Sequence, residues 1–110
     1  MTEINQFASE RDWDQFHSLK NLATALSVES SELLEIFQWM KEDESNRICE
    51  DPNKLRRLED EVADVFVYLL RIISKTNIDL ETAVSRKLEQ NRHKYPIEKS
   101  KGNAKKYDEL

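Results

Sequence analysis

Apolar residues recur every seven positions from Leu19 through Leu26 and Leu33 to Met40, with Leu22, Glu29 and Ile36 as the partner series. With Ser18 as N-cap, the spacing predicts a helix running to about Met40. One member of that seam is an acid, Glu29, and Glu32 shares its face one turn later. A second pattern, in the helix carrying Val62 to Ile73, is apolar almost all round, with Glu61 just before it and Asp64, Tyr68 and Arg71 within it as the polar positions. At about 100° per residue these four fall in one strip about 80° wide. Asp51 as a cap and Pro52 in the first turn predict that this helix runs from about Pro52 to Lys75, ending at Thr76-Asn77.

The remaining elements are shorter. Thr2 to about Arg11, with Ile4, Phe7 and Ala8 on one side, reads as a short helix, and Arg11 to His17 as an ordered loop. Lys41 to Asp51 is polar and reads as a loop. Asp79 caps a last helix with Leu80, Val84 and Leu88 on its apolar face, ending near Lys94 before Tyr95-Pro96. No period-two strand pattern appears, Gly102 is the only glycine, and Pro52 and Pro96 are the only prolines, so the fold class is all-α, an antiparallel helical bundle. Residues 1–96 are expected to form the helical domain. Residues 97–110 form a lysine-rich tail, mobile unless a ligand or subunit orders it. A chain of 110 residues is short for burying one helix on every side. A partner subunit is expected to solve that by completing the bundle as a homo-oligomer, with dimer and tetramer both open.

Carboxylates on a buried face carry a large desolvation cost unless they are paired or neutralised. Two acidic pairs on facing helices therefore suggest a hard divalent cation, and the all-oxygen donor set favours Mg2+ or Mn2+ over zinc. One cysteine and two histidines do not make a zinc cluster, and the chain has no Gly-rich phosphate loop. A net charge of −5 argues against a surface for a nucleic-acid polymer, while metal still allows an acidic protein to take phosphates. The lone Cys49 and the lack of an N-terminal hydrophobic run fit a reduced cytoplasm. The apolar run from Val62 to Ile73 is too short for a bilayer, so no membrane role is expected. Trp13 and His17 in a loop, with Trp39 a helix length away, have the makings of a stacking site for a flat base. Trp13 and Phe16 have a plainer reading as plugs for the bundle end. Lys87 and Asn91, four apart near the last helix's stripe, read equally as a snorkelling lysine and a helix-end amide.

The stretch Glu10-Arg11-Asp12-Trp13-Asp14-Gln15-Phe16-His17, then Lys20-Asn21-Leu22, then Val28-Glu29-Ser30-Ser31-Glu32-Leu33-Leu34-Glu35-Ile36-Phe37-Gln38-Trp39, resembles the dCTP pyrophosphatase branch of the MazG-like, all-α nucleoside triphosphate pyrophosphohydrolases. Glu61-x-x-Asp64-Val65-x-x-Tyr68-Leu69, Lys87-Leu88-x-x-Asn91-Arg92-x-x-Tyr95-Pro96 and Lys105-Lys106-Tyr107 continue the match in order. The resemblance implies a homo-oligomer whose subunits complete one another's cores and sites. It also implies magnesium-dependent cleavage between the α and β phosphates of a nucleoside triphosphate, with manganese as a substitute. Position by position, it makes Glu29, Glu32, Glu61 and Asp64 the metal ligands. Trp13, Asp14, Gln15, Phe16, His17, Trp39 and Tyr68 then enclose base and sugar, and Lys87 and Asn91 contact phosphates. Asn21, on the angular position neighbouring Glu29 and Glu32, is counted with the substrate contacts. Glu32 or Glu35 accepts the proton of the attacking water, and Glu35 reads equally as a solvated surface acid.

Two positions bear on the substrate. Val28, where the broader group opens its motif with a glutamate, agrees with the dCTP branch. Ile4 stands where vertebrate-like members carry a histidine, which leaves base preference open between dCTP, a modified pyrimidine deoxynucleotide and another triphosphate such as dUTP. A non-enzymatic helical interaction module is the alternative from a different class.

Overall fold

In the computed structural model, which describes residues 2–109, Met1 and Leu110 at the outer ends of the expected domain and tail lie outside the described part. Helix α1, Thr2–Glu10, ends in a way that decides where the first aromatic goes. Asp12 is left-handed at φ 54°; its N–H bonds Ser9 O and the Trp13 N–H bonds Ala8 O, both at 3.0 Å. This is a Schellman closure with aspartate at the position usually held by glycine. It turns Trp13 back onto Phe7, ring centroids 5.5 Å apart and edge-on. A 3-10 turn, Asp14–Phe16, follows, so the expected ordered loop has its own hydrogen-bonded core.

Ser18 caps α2 (Leu19–Phe37) as expected, its hydroxyl accepting the Asn21 N–H at 3.1 Å. The helix stops short of Met40, whose N–H turns to Phe37 O at 2.9 Å, an i−3 bond of the kind that tightens a last turn. The expected loop from Lys41 to Asp51 instead contains a short helix, α3 (Glu42–Asn46), and a 3-10 turn, Ile48–Glu50. Apolar periodicity gave no sign of α3, because acids in its first turn, Glu42, Asp43 and Glu44, complement its N-terminus instead. Ile48 alone dips into the core there.

Asp51 caps α4 (Pro52–Thr76), accepting the N–H groups of Asn53 at 3.0 Å and Lys54 at 3.2 Å. Left-handed Asn77 ends it. The loop before α2 meets the end of α4, where Lys75 Nζ donates to His17 O, while Glu29 and Glu32 meet Glu61 midway; α2 and α4 therefore run antiparallel. Between them lies a small core of Leu22, fully buried, with Ile36, Ile48, Ile73 and Ala8. Glu29 sits half-buried in the same seam as Leu22 and Ile36, as the heptad pattern predicts. Within one chain α4 is not covered all round: Val62, Phe66 and Leu69 form an exposed stripe.

Residues up to Asn77 make one compact unit and those from Ile78 a second. In the second, Asp79 caps α5 (Leu80–Lys94) through the Thr82 N–H at 3.1 Å, which holds its own carboxyl below the usual range. The lysine-rich tail has a short helix α6 (Ile97–Ser100), started by Pro96 O accepting from Lys99 and Ser100, and a 3-10 turn, Tyr107–Glu109. Tyr107 packs edge-on against Tyr95 at 6.3 Å under the Lys94 ammonium. The chain is helical without strands among the described residues, and no described helix is long and apolar enough to cross a membrane.

Candidate active site

The i, i+3 spacing puts Glu29 and Glu32 on the face of α2 that meets α4, and Glu61 reaches the same point from α4. One carboxylate oxygen from each of the three lies within 4.8 Å of the others, all half-buried. Asp64, one turn beyond Glu61, is exposed beside this cluster, and its charge is felt by both Glu29 and Glu61. Burial comes first in pushing the Glu29 carboxyl up to about 7, helped by its hydrogen bond to Glu32 and the charges of Glu32, Asp64 and Glu61. Glu61 is raised by the same causes, loss of water and then Glu32, although its bond to Glu29 opposes the change. Oε2 of Glu29 and Oε2 of Glu61 are buried with no hydrogen-bond partner. Such acceptors are rarely left unmet in folded proteins, and an all-oxygen set with spare lone pairs is what a hard cation takes.

From these acids a cavity of about 450 Å³ extends to the loop after α1, with Glu29 and Asp64 at one side and Trp13, His17, Tyr68, Ile4 and Phe7 along the rest of its lining. The His17 and Tyr68 rings meet edge-on at 6.5 Å and Trp13 lies 6.2 Å from His17. Arg71, the buried charge of this unit, closes the floor: Nη1 donates to Asn5 Oδ1 at 2.8 Å, and Nη2 to Asp14 Oδ1, with His17 Nδ1 at 3.4 Å. Its Nε is buried without a partner. Loss of water is the chief cause holding His17 below its usual imidazole value, followed by the charges of Arg71 and Lys75, with Asp14 opposing.

Trp13, His17, Tyr68, Glu29 and Asp64 thus share one cavity. The other candidates do not line it. Asn21 Nδ2 donates to Phe16 O at 2.8 Å, fastening the 3-10 turn to α2, and Gln15 bonds the Asp12 carboxylate at 2.9 Å. Phe16 and Glu35 are exposed, and Trp39, 89% exposed, stands apart from the cavity lining. Lys87 and Asn91 lie on α5 in the second unit, Lys87 exposed and Asn91 half-buried. The lining residues Phe7 and Arg71 were not candidates. Their signals were the one-sided apolar pattern of α1 and the polar strip that Arg71 shares with Glu61, Asp64 and Tyr68.

An all-α unit with an acidic cluster beside an aromatic cavity defines the class. Residues 24–110 match the model of the MazG-like family, and the chain belongs to that family. It is 41% identical over 105 residues to dCTP pyrophosphatase 1 of Rattus norvegicus, and 39% identical to that of Homo sapiens, in each case across 96% of this chain and 62% of the relative. The chain thus spans about three fifths of those relatives' length. A crystal structure of a pyrophosphatase from Archaeoglobus fulgidus superposes with a TM-score of 0.78 at 41% identity, covering 86% of this chain and 87% of that one.

Proposed function

We propose that the protein is a divalent-metal-dependent nucleoside triphosphate pyrophosphohydrolase, converting a deoxynucleoside triphosphate to the monophosphate and pyrophosphate, with dCTP or a modified pyrimidine relative as the favoured substrate. The observation that carries this reading is the junction of two unlike groups in one cavity: the carboxylates of Glu29, with an unmet Oε2, and Asp64, together with the rings of Trp13, His17 and Tyr68. That arrangement suits a molecule with a phosphate chain at one end and a flat base at the other. Membership of a family whose similar relatives are named dCTP pyrophosphatase supports it.

In this reading Glu29, Glu32, Glu61 and Asp64 hold the cation, Mg2+ with Mn2+ as substitute, which when bound neutralises charge on the phosphates. Trp13, His17 and Tyr68, which line the cavity, grip the base. Glu32, or Glu35 a turn beyond it, takes the proton from a water whose oxygen bonds the α-phosphorus. The α-phosphorus bond to the bridging oxygen breaks and pyrophosphate leaves. The exposed Val62, Phe66 and Leu69 stripe supports assembly with a second copy.

A panel of canonical and modified dNTPs with Mg2+, scored for monophosphate and pyrophosphate, tests the proposal. Highest catalytic efficiency on a pyrimidine dNTP is expected, as is loss of turnover in a folded Glu61→Gln variant. No turnover of any member overturns it.

A further inference from the structure

The polar strip on α4 contains one residue that the proposed chemistry does not use. Arg71 is 5% exposed, and its guanidinium reaches three elements at once: Asn5 on α1, Asp14 in the 3-10 turn, and His17 in the loop before α2. Asn5 is held from its other side as well, donating to Ser74 Oγ at 2.8 Å. Lys75 Nζ donates to the His17 carbonyl, so the histidine is fixed by its backbone as well as its ring.

A guanidinium has donors and no acceptor. Nη2 stands 3.4 Å from His17 Nδ1, and a hydrogen bond between them makes Nδ1 the accepting nitrogen and puts the proton of the neutral ring on Nε2. The Tyr68 and Trp13 rings lie 6.5 and 6.2 Å from the imidazole, and all three line the cavity. We infer that Arg71 is a positioning residue: its Nη2 donor locks His17 in the Nε2–H tautomer, making that ring a fixed hydrogen-bond donor to a carbonyl oxygen of the bound base. The inference deepens the proposed function, on which its substrate half rests; its tautomer half stands on the protein alone. Two neighbouring positive charges, Arg71 and Lys75, also disfavour the imidazolium, while the opposing Asp14 carboxylate is already engaged by Arg71. Ile4, on the same cavity wall, has no polar side-chain atom to offer a base, which leaves more of its recognition to His17.

A plain tie between α1 and α4 through Asn5 would need Arg71 too, so the test reads the imidazole directly. Long-range proton–nitrogen correlation spectra of the nitrogen-15-labelled full chain resolve both ring nitrogens of His17, with the exposed His93 as internal reference. The expected wild-type pattern is Nε2–H with a bare Nδ1. A protonated Nδ1 in the wild type overturns the inference without any variant. In Arg71→Met the pattern is expected to move toward a tautomer mixture, with KM for dCTP rising about tenfold, the worth of one hydrogen bond, and kcat within about twofold. Arg71→Lys retains charge and a donor and recovers part of the loss. In a His17→Gln background, which keeps a side-chain N–H donor without a tautomer to set, Arg71→Met is expected to change KM by less than about twofold, the signature of coupling in a double-mutant cycle. A folded Arg71→Met protein with an unchanged His17 spectrum, or with a changed spectrum and unchanged KM, overturns the inference. Failure of the wild type to turn over any nucleotide sinks the proposed function instead and leaves the tautomer result to be judged on its own.

Discussion

Glu29 on α2 and Glu61 on α4 each bury an Oε2 that meets no hydrogen-bond partner, and one oxygen from each lies within 4.8 Å of one from Glu32. Acceptors facing one another in that way need a proton or a cation between them. Mg2+ is therefore expected to raise the melting temperature of the metal-free protein. At about 100 times its Kd the gain is about 2.7 kcal/mol. Glu61→Gln is expected to melt higher than wild type without metal, since it removes one repelling charge, and to lose most of the Mg2+-induced shift. Thermal denaturation with and without Mg2+ checks both, and an undiminished shift in the variant contradicts the ligand assignment.

Asp12 controls Trp13 from one residue away. Its left-handed conformation makes the Schellman closure that brings the indole onto Phe7. Asp12→Gly adopts that conformation without a steric cost and loses only the Gln15 bond, so stability is expected to change by about 0.5 kcal/mol or less. Asp12→Val puts a β-branched residue there and is expected to cost about 1–2 kcal/mol. Urea unfolding gives the cost. Trp39 is already 89% exposed, so a red shift in the emission of the folded Val variant reports on Trp13.

The same contrast explains how far the site is readable from sequence. Glu29 stood out because an acid broke the apolar series of Leu22 and Ile36, and Glu61 and Asp64 because an apolar helix has few places for charge; burial and acidity coincide at Glu29 and Glu61, while Asp64 is exposed. Ser18, Asp51 and Asp79 were legible as caps because capping is local in sequence. The acidic helix α3 was not, since its stability comes from charge at its first turn instead of from an apolar stripe. Arg71 was visible as a polar interruption, yet its partners Asn5 and Asp14 are far away in sequence, and no periodicity links them. The early end of α2 at Phe37 likewise has no marker in a stretch free of glycine and proline.

Phe66 is 55% exposed and shares its stripe with Val62 and Leu69 at i−4 and i+3. A row of large apolar side chains on one face of the longest helix is the kind of patch that a second copy covers. Sedimentation at micromolar concentration is expected to show an assembly larger than a monomer, and Phe66→Glu to shift it toward monomer while the isolated chain keeps its helical circular dichroism. A wild-type chain that sediments as a stable monomer would end the assembly reading without touching the carboxylate cluster.

Acidity is expected to have opposite effects through the two ends of the cavity. The Glu29 carboxyl is raised from 4.5 to about 7 in the folded, metal-free protein, so between those values the folded chain holds a proton that the unfolded chain has lost. Its contribution to stability is therefore fully present below pH 4.5 and disappears as pH rises through about 7, and Glu61 moves in the same direction. His17 is lowered from 6.5, so its contribution is present above that pH and is lost as pH falls through its depressed folded value. Melting temperature against pH should separate the two, Glu29→Gln shrinking the alkaline loss, of which Glu61 keeps a part, and His17→Gln removing the acid one. The same proton competes with the cation. Mg2+ binding near pH 6 is expected to release a proton that binding at pH 8.5 does not, seen by calorimetry in buffers of different ionisation enthalpy. Glu29→Gln should reduce that release; a wild-type protein whose binding heat is independent of buffer at pH 6 would show that Glu29 is already ionised there.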